Sequence, residues 1–283
     1  MDELNSRDLQ RIHRVVTQAL SETKLTPLWQ RLHNEYGIGR ISGKNLKLSK
    51  EDCQRVREIT RPTGHDVMFP LPTGSRLEIS KYSGNEKPLS EAPGRHHLLL
   101  NSATGLLRLN DIQIPLSLGS SYRCDWRELD LETVTSVIVV ENLQAFDYIQ
   151  QAQLPDELKN AWVLYRGHNE SAKAVIDLLN ALPKNCQIIG FTDYDPAGFK
   201  ILLTGIPGIT HCLLPELSEN LFNLAVGTKS IFQKQQKEMA FIENSILASI
   251  LNDYWLQLKT HKVCISQELM LSQQIQLSCW EFA

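Results

Sequence analysis

Two short apolar runs that stop at acid constrain this chain more than any other feature. Val137-Ile138-Val139-Val140 runs into Glu141 and Asn142. Ile188-Ile189-Gly190-Phe191 runs into Thr192, Asp193, Tyr194 and Asp195. Val- and Ile-rich runs that end at a polar turn predict buried parallel strands, because a strand covered on both faces has no polar side to show. In open α/β sheets the chemistry gathers at the carboxyl ends of such strands. Glu141, Asp193 and Asp195 are therefore expected at one edge of one sheet. Three carboxylates there repel one another unless a cation neutralises them. Hard oxygen ligands of this kind suit Mg²⁺ or Mn²⁺.

The surroundings of the runs agree with that reading. Strands are expected over 134–140, 162–165 and 188–192, with helices over 143–151 and 170–182 and from 197 onward. Strand–helix alternation predicts an α/β fold, a parallel sheet flanked by helices, in the C-terminal half. After Pro215 the pattern turns helical, over 234–255 and again over 266–276.

The front of the chain reads differently. Leu9, Ile12, Val15, Val16 and Leu20 fall at helical spacing over 7–22. Pro27 suits the first turn of a second helix, and Ser49 suits the N-cap of a third. Residues 40–48 between them are a short strand or a basic loop. Helices around such a segment fit a winged-helix-like region facing DNA, with Arg40, Lys44 and Lys47 as contact candidates; solvated turn charges are the alternative. Residues 61–95, punctuated by Pro and Gly, read as an arm with a short strand over Arg76–Tyr82. His96–Leu100 and Leu106–Leu109 are expected to pair as a hairpin across Ser102-Ala103-Thr104-Gly105. No second ligand cluster adjoins His96 and His97, so they are expected to be structural. The expected division is 1–60, a helical DNA-facing region; 61–130, a β-containing connector; and 131–283, the catalytic domain.

Composition narrows the function classes. An apolar share of 42% with 22% charged residues suits a globular protein. No run is long enough to span a membrane, and the first residues show no signal-peptide pattern. The six cysteines are scattered without a C-x-x-C pair, which argues against zinc or redox motifs and fits a cytoplasmic protein. Residues 1–100 hold 16 Lys and Arg against 12 Asp and Glu, and the rest 13 against 20; the basic front suits phosphates and the acidic back a metal, with ordinary solvated surface as the alternative.

Side chains at i and i+2 of an extended chain point to one face, so Asp193 and Asp195 can reach one cation. Pro196 then fixes φ, and Gly198 permits a tight turn into a helix. Backbone N–H groups at that turn are expected to suit phosphate oxygens. A lone Asp-x-Asp more often marks a solvated turn. Paired with the Glu141 strand and a helical unit between, it carries more weight.

On these residues, Val-Ile-Val-Val-Glu-Asn-Leu-Gln-Ala-Phe over 137–146 and Phe-Thr-Asp-Tyr-Asp-Pro-Ala-Gly over 191–198, the chain resembles a Toprim domain. The second segment is similar to the A subunit of topoisomerase VI. The first is closer to the nuclease subunit of bacterial SMC-type plasmid-defence systems, JetD in Wadjet and MksG in its relatives. Gln267-Glu268 resembles a Gln-Glu element near the end of those nucleases. The resemblance covers about residues 134–283. It implies that Glu141 is a metal ligand or general acid/base, that Asp193 and Asp195 bind Mg²⁺ or Mn²⁺, and that Glu268 is a further catalytic acid. It also implies that Gly167 and Gly198 allow close approach to phosphate, with Arg166 and His168, one strand away, as contacts to the scissile group or as structural residues. The implied protein is a metal-dependent DNA endonuclease acting on double-stranded plasmid DNA, a homodimer or a recruit of an SMC–kleisin complex.

Covalent strand passage would need a positioned tyrosine. Tyr36, which precedes Gly37-Ile38-Gly39, reads as a helix-end packing residue without an activating base, so water is the expected nucleophile. Two other readings are a non-catalytic Toprim-fold DNA-binding subunit and a haloacid-dehalogenase-like phosphatase. The latter leaves Glu141 unexplained and lacks the Thr-containing loop expected after its acids.

Overall fold

The two apolar runs lie side by side at the middle of a seven-stranded sheet. The structure, a computed structural model, describes residues 4–63, 66–70, 77, 94–167, 170–245 and 249–282. The chain divides into two units, Met1–Pro93 and Gly94–Ala283.

In the first unit, α1 (Ser6–Thr17) begins at a capping box in which Asn5 and Asp8 satisfy each other's backbone N–H groups. It stops short of the expected residue 22, because Ala19 turns left-handed (φ 47°) and Glu22–Lys24 becomes strand β1. Pro27 opens α2 (Pro27–Tyr36), and Gly37 at φ 62° closes it. Residues 40–47 then settle as a hairpin, β2 (Arg40–Ser42) and β3 (Asn45–Lys47), with β3 also paired antiparallel to β1. A second capping box, Ser49 with Asp52, starts α3 (Lys50–Thr60). Asp52 reaches back to accept the Gly39 N–H at 3.0 Å, tying α3 to the entry of the hairpin. Leu9, Ile12, Trp29, Leu32, Ile38, Leu46 and Val56 form the core, and Tyr36 packs against it. The strand expected over Arg76–Tyr82 lies outside the described residues, apart from Leu77.

The second unit is α/β. Its sheet contains β4 (His97–Asn101), β7 (Tyr122–Asp125), β8 (Ser136–Val140), β9 (Trp162–Tyr165), β10 (Gln187–Phe191), β11 (His211–Pro215) and β12 (Leu277–Glu281). Their order is β12-β11-β10-β8-β9-β4-β7. The four strands β11, β10, β8 and β9 are parallel, and the flanking strands are antiparallel to their neighbours. Val137–Val140 and Ile188–Phe191 are buried, as runs covered on both faces must be. Crossover helices α4 (Leu143–Asp147), α5 (Glu170–Ala181) and α6 (Pro196–Thr204) connect them.

Three expectations fail here for identifiable reasons. The hairpin between His96–Leu100 and Leu106–Leu109 does not form. β4 pairs instead with β7 and β9, burying Leu98 and Leu100. The side chain of Asn101, fully buried, donates to the Ser120 and Phe146 carbonyls at 3.1 and 2.9 Å and draws the chain out of the sheet. Leu106–Leu109 (β5) pairs with Ile112–Pro115 (β6) across Asn110, which takes φ 50°. A separate connector over 61–130 is also not what is found: β4 and β7 belong to the main sheet, and Arg95 pairs with Asp177 of α5 at 2.6 Å. The helix expected over 234–255 is broken into α8 (Lys229–Lys234), α9 (Gln236–Glu243) and α10 (Ser249–His261), after a short α7 (Glu219–Leu224). The segment expected as a helix over 266–276 is α11 (Gln267–Ser272), which ends before Gln274 turns at φ 49° and leads into β12. No helix among the described residues is long and apolar enough to cross a membrane.

Candidate active site at the switch point

From β8 the chain moves to one side, to β9, and then crosses back to β10 and β11 on the other. The sheet therefore has its switch point between β8 and β10, where crossovers on opposite sides leave a crevice at the carboxyl ends. Glu141 follows β8 and Asp193 follows β10, so this crevice is where the two acid motifs meet.

The Glu141 N–H donates to the Phe191 carbonyl at 3.1 Å and extends the ladder by one rung. The Asp193 N–H then points to Glu141 Oε2 at 3.4 Å. Asp193 Oδ1 accepts the Gln267 N–H at 2.8 Å. Between the acids, Tyr194 faces inward: its backbone pairs with Ile265, and its buried hydroxyl donates to the Tyr254 carbonyl at 2.6 Å. Asp193 and Asp195 take partners other than those of Tyr194.

Asp195 is the N-cap of α6, with Oδ1 accepting the Gly198 N–H at 2.7 Å. Its Oδ2 accepts from Gln235 Nε2 at 2.8 Å, and Gln235 Oε1 accepts the Ala197 N–H at 2.9 Å. This changes the reading of the turn. The N–H groups of Ala197 and Gly198, expected to suit phosphate, are engaged within the chain. A Cβ at Gly198 would lie 2.0 Å from the Asp193 carbonyl oxygen, so the glycine is needed for the chain's own close approach.

Glu268, in the first turn of α11, is held by Asn142, whose Nδ2 donates to Glu268 Oε1 at 2.7 Å. Asn142 also caps α4 through Oδ1. Arg166 follows β9 and its N–H donates to Val140 at 2.9 Å. Its guanidinium is near enough to Glu141 to favour the carboxylate, while its buried Nε has no hydrogen-bond partner among the described residues. Gly167 takes φ 74°, a left-handed turn that suits glycine. His168 lies outside the described residues. Arg40, Lys44 and Lys47 are exposed on the β2–β3 hairpin of the other unit.

Electrostatics unite the acids. Burial raises the Glu141 pKa, against the opposing pull of the Asp193 N–H and Arg166; Asp195 and Glu268 raise it further. Burial raises Asp193 to about 7, opposed by the Gln267 N–H and reinforced by Glu141, Asp195 and Glu268. Cys264 sits beside them, pushed up to about 12 by burial and by Asp195 and Asp193, and so remains a thiol. These oxygens are the right donors for a hard divalent cation, and their mutual repulsion is what such a cation relieves. They are not gathered round one point: among the described residues no group of three or more His, Cys, Asp or Glu side chains is arranged to hold a metal.

Sequence reasoning passed over Asn142 and Gln235 and gave Gln267 no role of its own. A glutamine in the crevice leaves no signal in charge or periodicity; the pair Gln267-Glu268 was the one pointer.

A family model described as a domain of unknown function, DUF7281, matches residues 95–279. The chain belongs to the DUF7281 family. The matched segment starts beside β4 and ends inside β12, so the family unit takes in the sheet, the crevice and all four acids, and it falls within the second structural unit. No curated protein matches the chain.

Proposed function

We propose that this DUF7281 protein is a Toprim-type DNA endonuclease that depends on Mg²⁺ or Mn²⁺ and hydrolyses phosphodiesters of double-stranded DNA. The observation that carries the reading is the convergence of Glu141, Asp193, Asp195 and Glu268 at the switch point, with Arg166 as the cation beside Glu141. Asp193 and Asp195 would hold the ion, with Glu141 as a further ligand or proton carrier. Such an ion, when bound, polarises a phosphoryl oxygen and stabilises charge on the leaving oxygen.

The chain's own groups supply the rest. Arg166 places a positive charge beside Glu141, where its guanidinium favours the charge of a non-bridging phosphate oxygen. Glu141, with its pKa raised, is suited to take the proton of an attacking water. The water oxygen bonds to phosphorus as the ester P–O bond breaks. Glu268, steadied by Asn142, adds a further carboxylate beside Glu141 and Asp193. The first unit acts as a winged-helix-like module, with Arg40, Lys44 and Lys47 neutralising backbone phosphates. Cutting both strands needs two sites, which a homodimer provides. Cytoplasmic plasmid defence, as nuclease of an SMC–kleisin complex, is the role that the resemblance of residues 137–146 and 191–198 supports.

The test is plasmid nicking and linearisation with Mg²⁺ or Mn²⁺. Wild type is expected to cleave, and Glu141→Ala and Asp193→Ala to lose at least a hundredfold. Undiminished cleavage by those variants would sink the assignment. One observation favours a second reading, a Toprim-fold DNA-binding subunit without catalysis: Asp195 has both oxygens engaged, and no three acids are arranged round a point among the described residues. DNA binding by wild type with no Mn²⁺ uptake in calorimetry would select it.

A further inference from the structure

β8 and β10 run in register from Ser136 opposite Gln187 to Val140 opposite Phe191. One more rung follows, from the Glu141 N–H to the Phe191 carbonyl. The strands then part, and Gln267 stands between them. Its Nε2 donates to the Phe191 carbonyl at 3.0 Å, and its Oε1 accepts the Asn142 N–H at 2.9 Å. A carboxamide has one donor side and one acceptor side, as a peptide unit has. This one links the Phe191 carbonyl, which also takes the last rung from Glu141, to the Asn142 N–H one residue beyond that rung. Gln267 is fully buried, so an unmet end of that amide would be costly. Its backbone N–H meanwhile donates to Asp193 Oδ1 at 2.8 Å. The residue therefore touches the chain immediately after Glu141, the carbonyl two residues before Asp193, and Asp193 itself.

We propose that Gln267 is a positioning residue for the acidic site: its carboxamide acts as a spacer that sets the separation of Glu141 and Asp193. The proposal rests on the metal-dependent reading above. It assigns Gln267 no contact with substrate. A merely structural glutamine would contribute stability alone; a spacer also sets how well the acids take up a cation. With the spacer cut, α11 loses its anchor to both strands, and Asp193 and Glu268 lose their fixed relation to Glu141.

The experiment uses the full chain and Mn²⁺ as the probe, with free Mn²⁺ followed by electron paramagnetic resonance. Gln267→Met keeps the length and removes both hydrogen-bonding ends. Gln267→Glu keeps the shape and the acceptor for Asn142, and it serves if the methionine variant does not fold. Leu179→Ala, a buried change on α5, is the control for lost stability. The expected result is at least a tenfold rise in the Mn²⁺ concentration for half-saturation in the Gln267 variants, with none in the control. DNA cleavage should fall in kcat at least tenfold with KM within twofold. If wild type binds Mn²⁺ and the folded Gln267 variants bind it equally well, the spacer role is overturned and the metal reading stands. If wild type binds no Mn²⁺, the metal reading falls, and the spacer role with it.

Discussion

Gln235 closes a two-point clasp on the start of α6, giving Nε2 to Asp195 Oδ2 at 2.8 Å and taking the Ala197 N–H on Oε1 at 2.9 Å. The residue sits at the break between α8 and α9. Gln235→Ala is expected to cost about 1–3 kcal/mol, since two partly buried groups lose their partner. Gln235→Glu is expected to cost more, because it sets a second carboxylate against Asp195. Denaturant titration of the three proteins, read as shifts in midpoint at constant slope, checks the order.

Gly198 gives a sharper prediction. The space beside it is held by the Asp193 carbonyl, 2.0 Å from where a Cβ would stand. That neighbour is backbone and cannot swing aside. Gly198→Ala is expected to destabilise by more than about 2 kcal/mol and to displace Asp193, so that cleavage is lost even in the folded fraction. A folded Gly198→Ala protein with wild-type cleavage would show that the turn tolerates the methyl and that Asp193 keeps its place.

How far the sequence reveals this arrangement depends on which interactions are local. β8 and β10 are legible because burial on both faces writes itself as unbroken Val and Ile. The acids that follow are legible by position. The caps at Ser49 and Pro27 are legible because their partners lie within one turn. Which strand pairs with Leu106–Leu109 is not legible, since the alternatives differ in long-range contacts and not in local pattern. β12 is hidden for a similar reason: Ser278, Cys279 and Trp280 are only half-buried at the sheet edge and lack a strand's alternation. The roles of Gln235 and Gln267 exist only once segments 40 and 76 residues away are folded against them.

The metal-free site is expected to oppose folding as pH rises. Asp193 is raised to about 7 in the folded protein, above the ordinary carboxylate value near 3.9. Between those values the folded state binds more protons than the unfolded state, so stability is fully present below about pH 4 and is lost as pH climbs through about 7. Glu141, shifted in the same direction, adds to the slope. The effect is on the order of 2 kcal/mol once solvent screening is allowed for. Melting temperatures in chelator should fall from pH 5 to pH 8, and Asp193→Asn should flatten that slope and out-melt wild type at pH 8. Added Mn²⁺ should restore wild type at pH 8 and do little at pH 5, where Asp193 holds a proton in its place. A wild-type profile that is flat in chelator would mean that the acids are better solvated than their burial implies.

The β2–β3 hairpin carries Arg40, Lys44 and Lys47 into solvent, while Leu46 between them anchors it to the core. Removing the charges should therefore leave the fold intact and, on the proposed function, weaken DNA binding. Each lost phosphate contact releases one counterion fewer, lowering the slope of log affinity against log salt by about 0.9. The triple variant Arg40→Ala/Lys44→Ala/Lys47→Ala is expected to flatten that slope by about 2.7 if all three side chains reach phosphates. Affinity should fall alike for unrelated DNA sequences, because phosphate contacts carry no base information. Fluorescence anisotropy on two duplexes of different sequence, each over a range of salt, measures both quantities. A triple variant with an unchanged salt slope would place the DNA-binding face elsewhere and return these three residues to ordinary solvated turn charges. A slope change on one duplex only would instead mean that the hairpin reads bases, and its flanking residues would become the next to substitute.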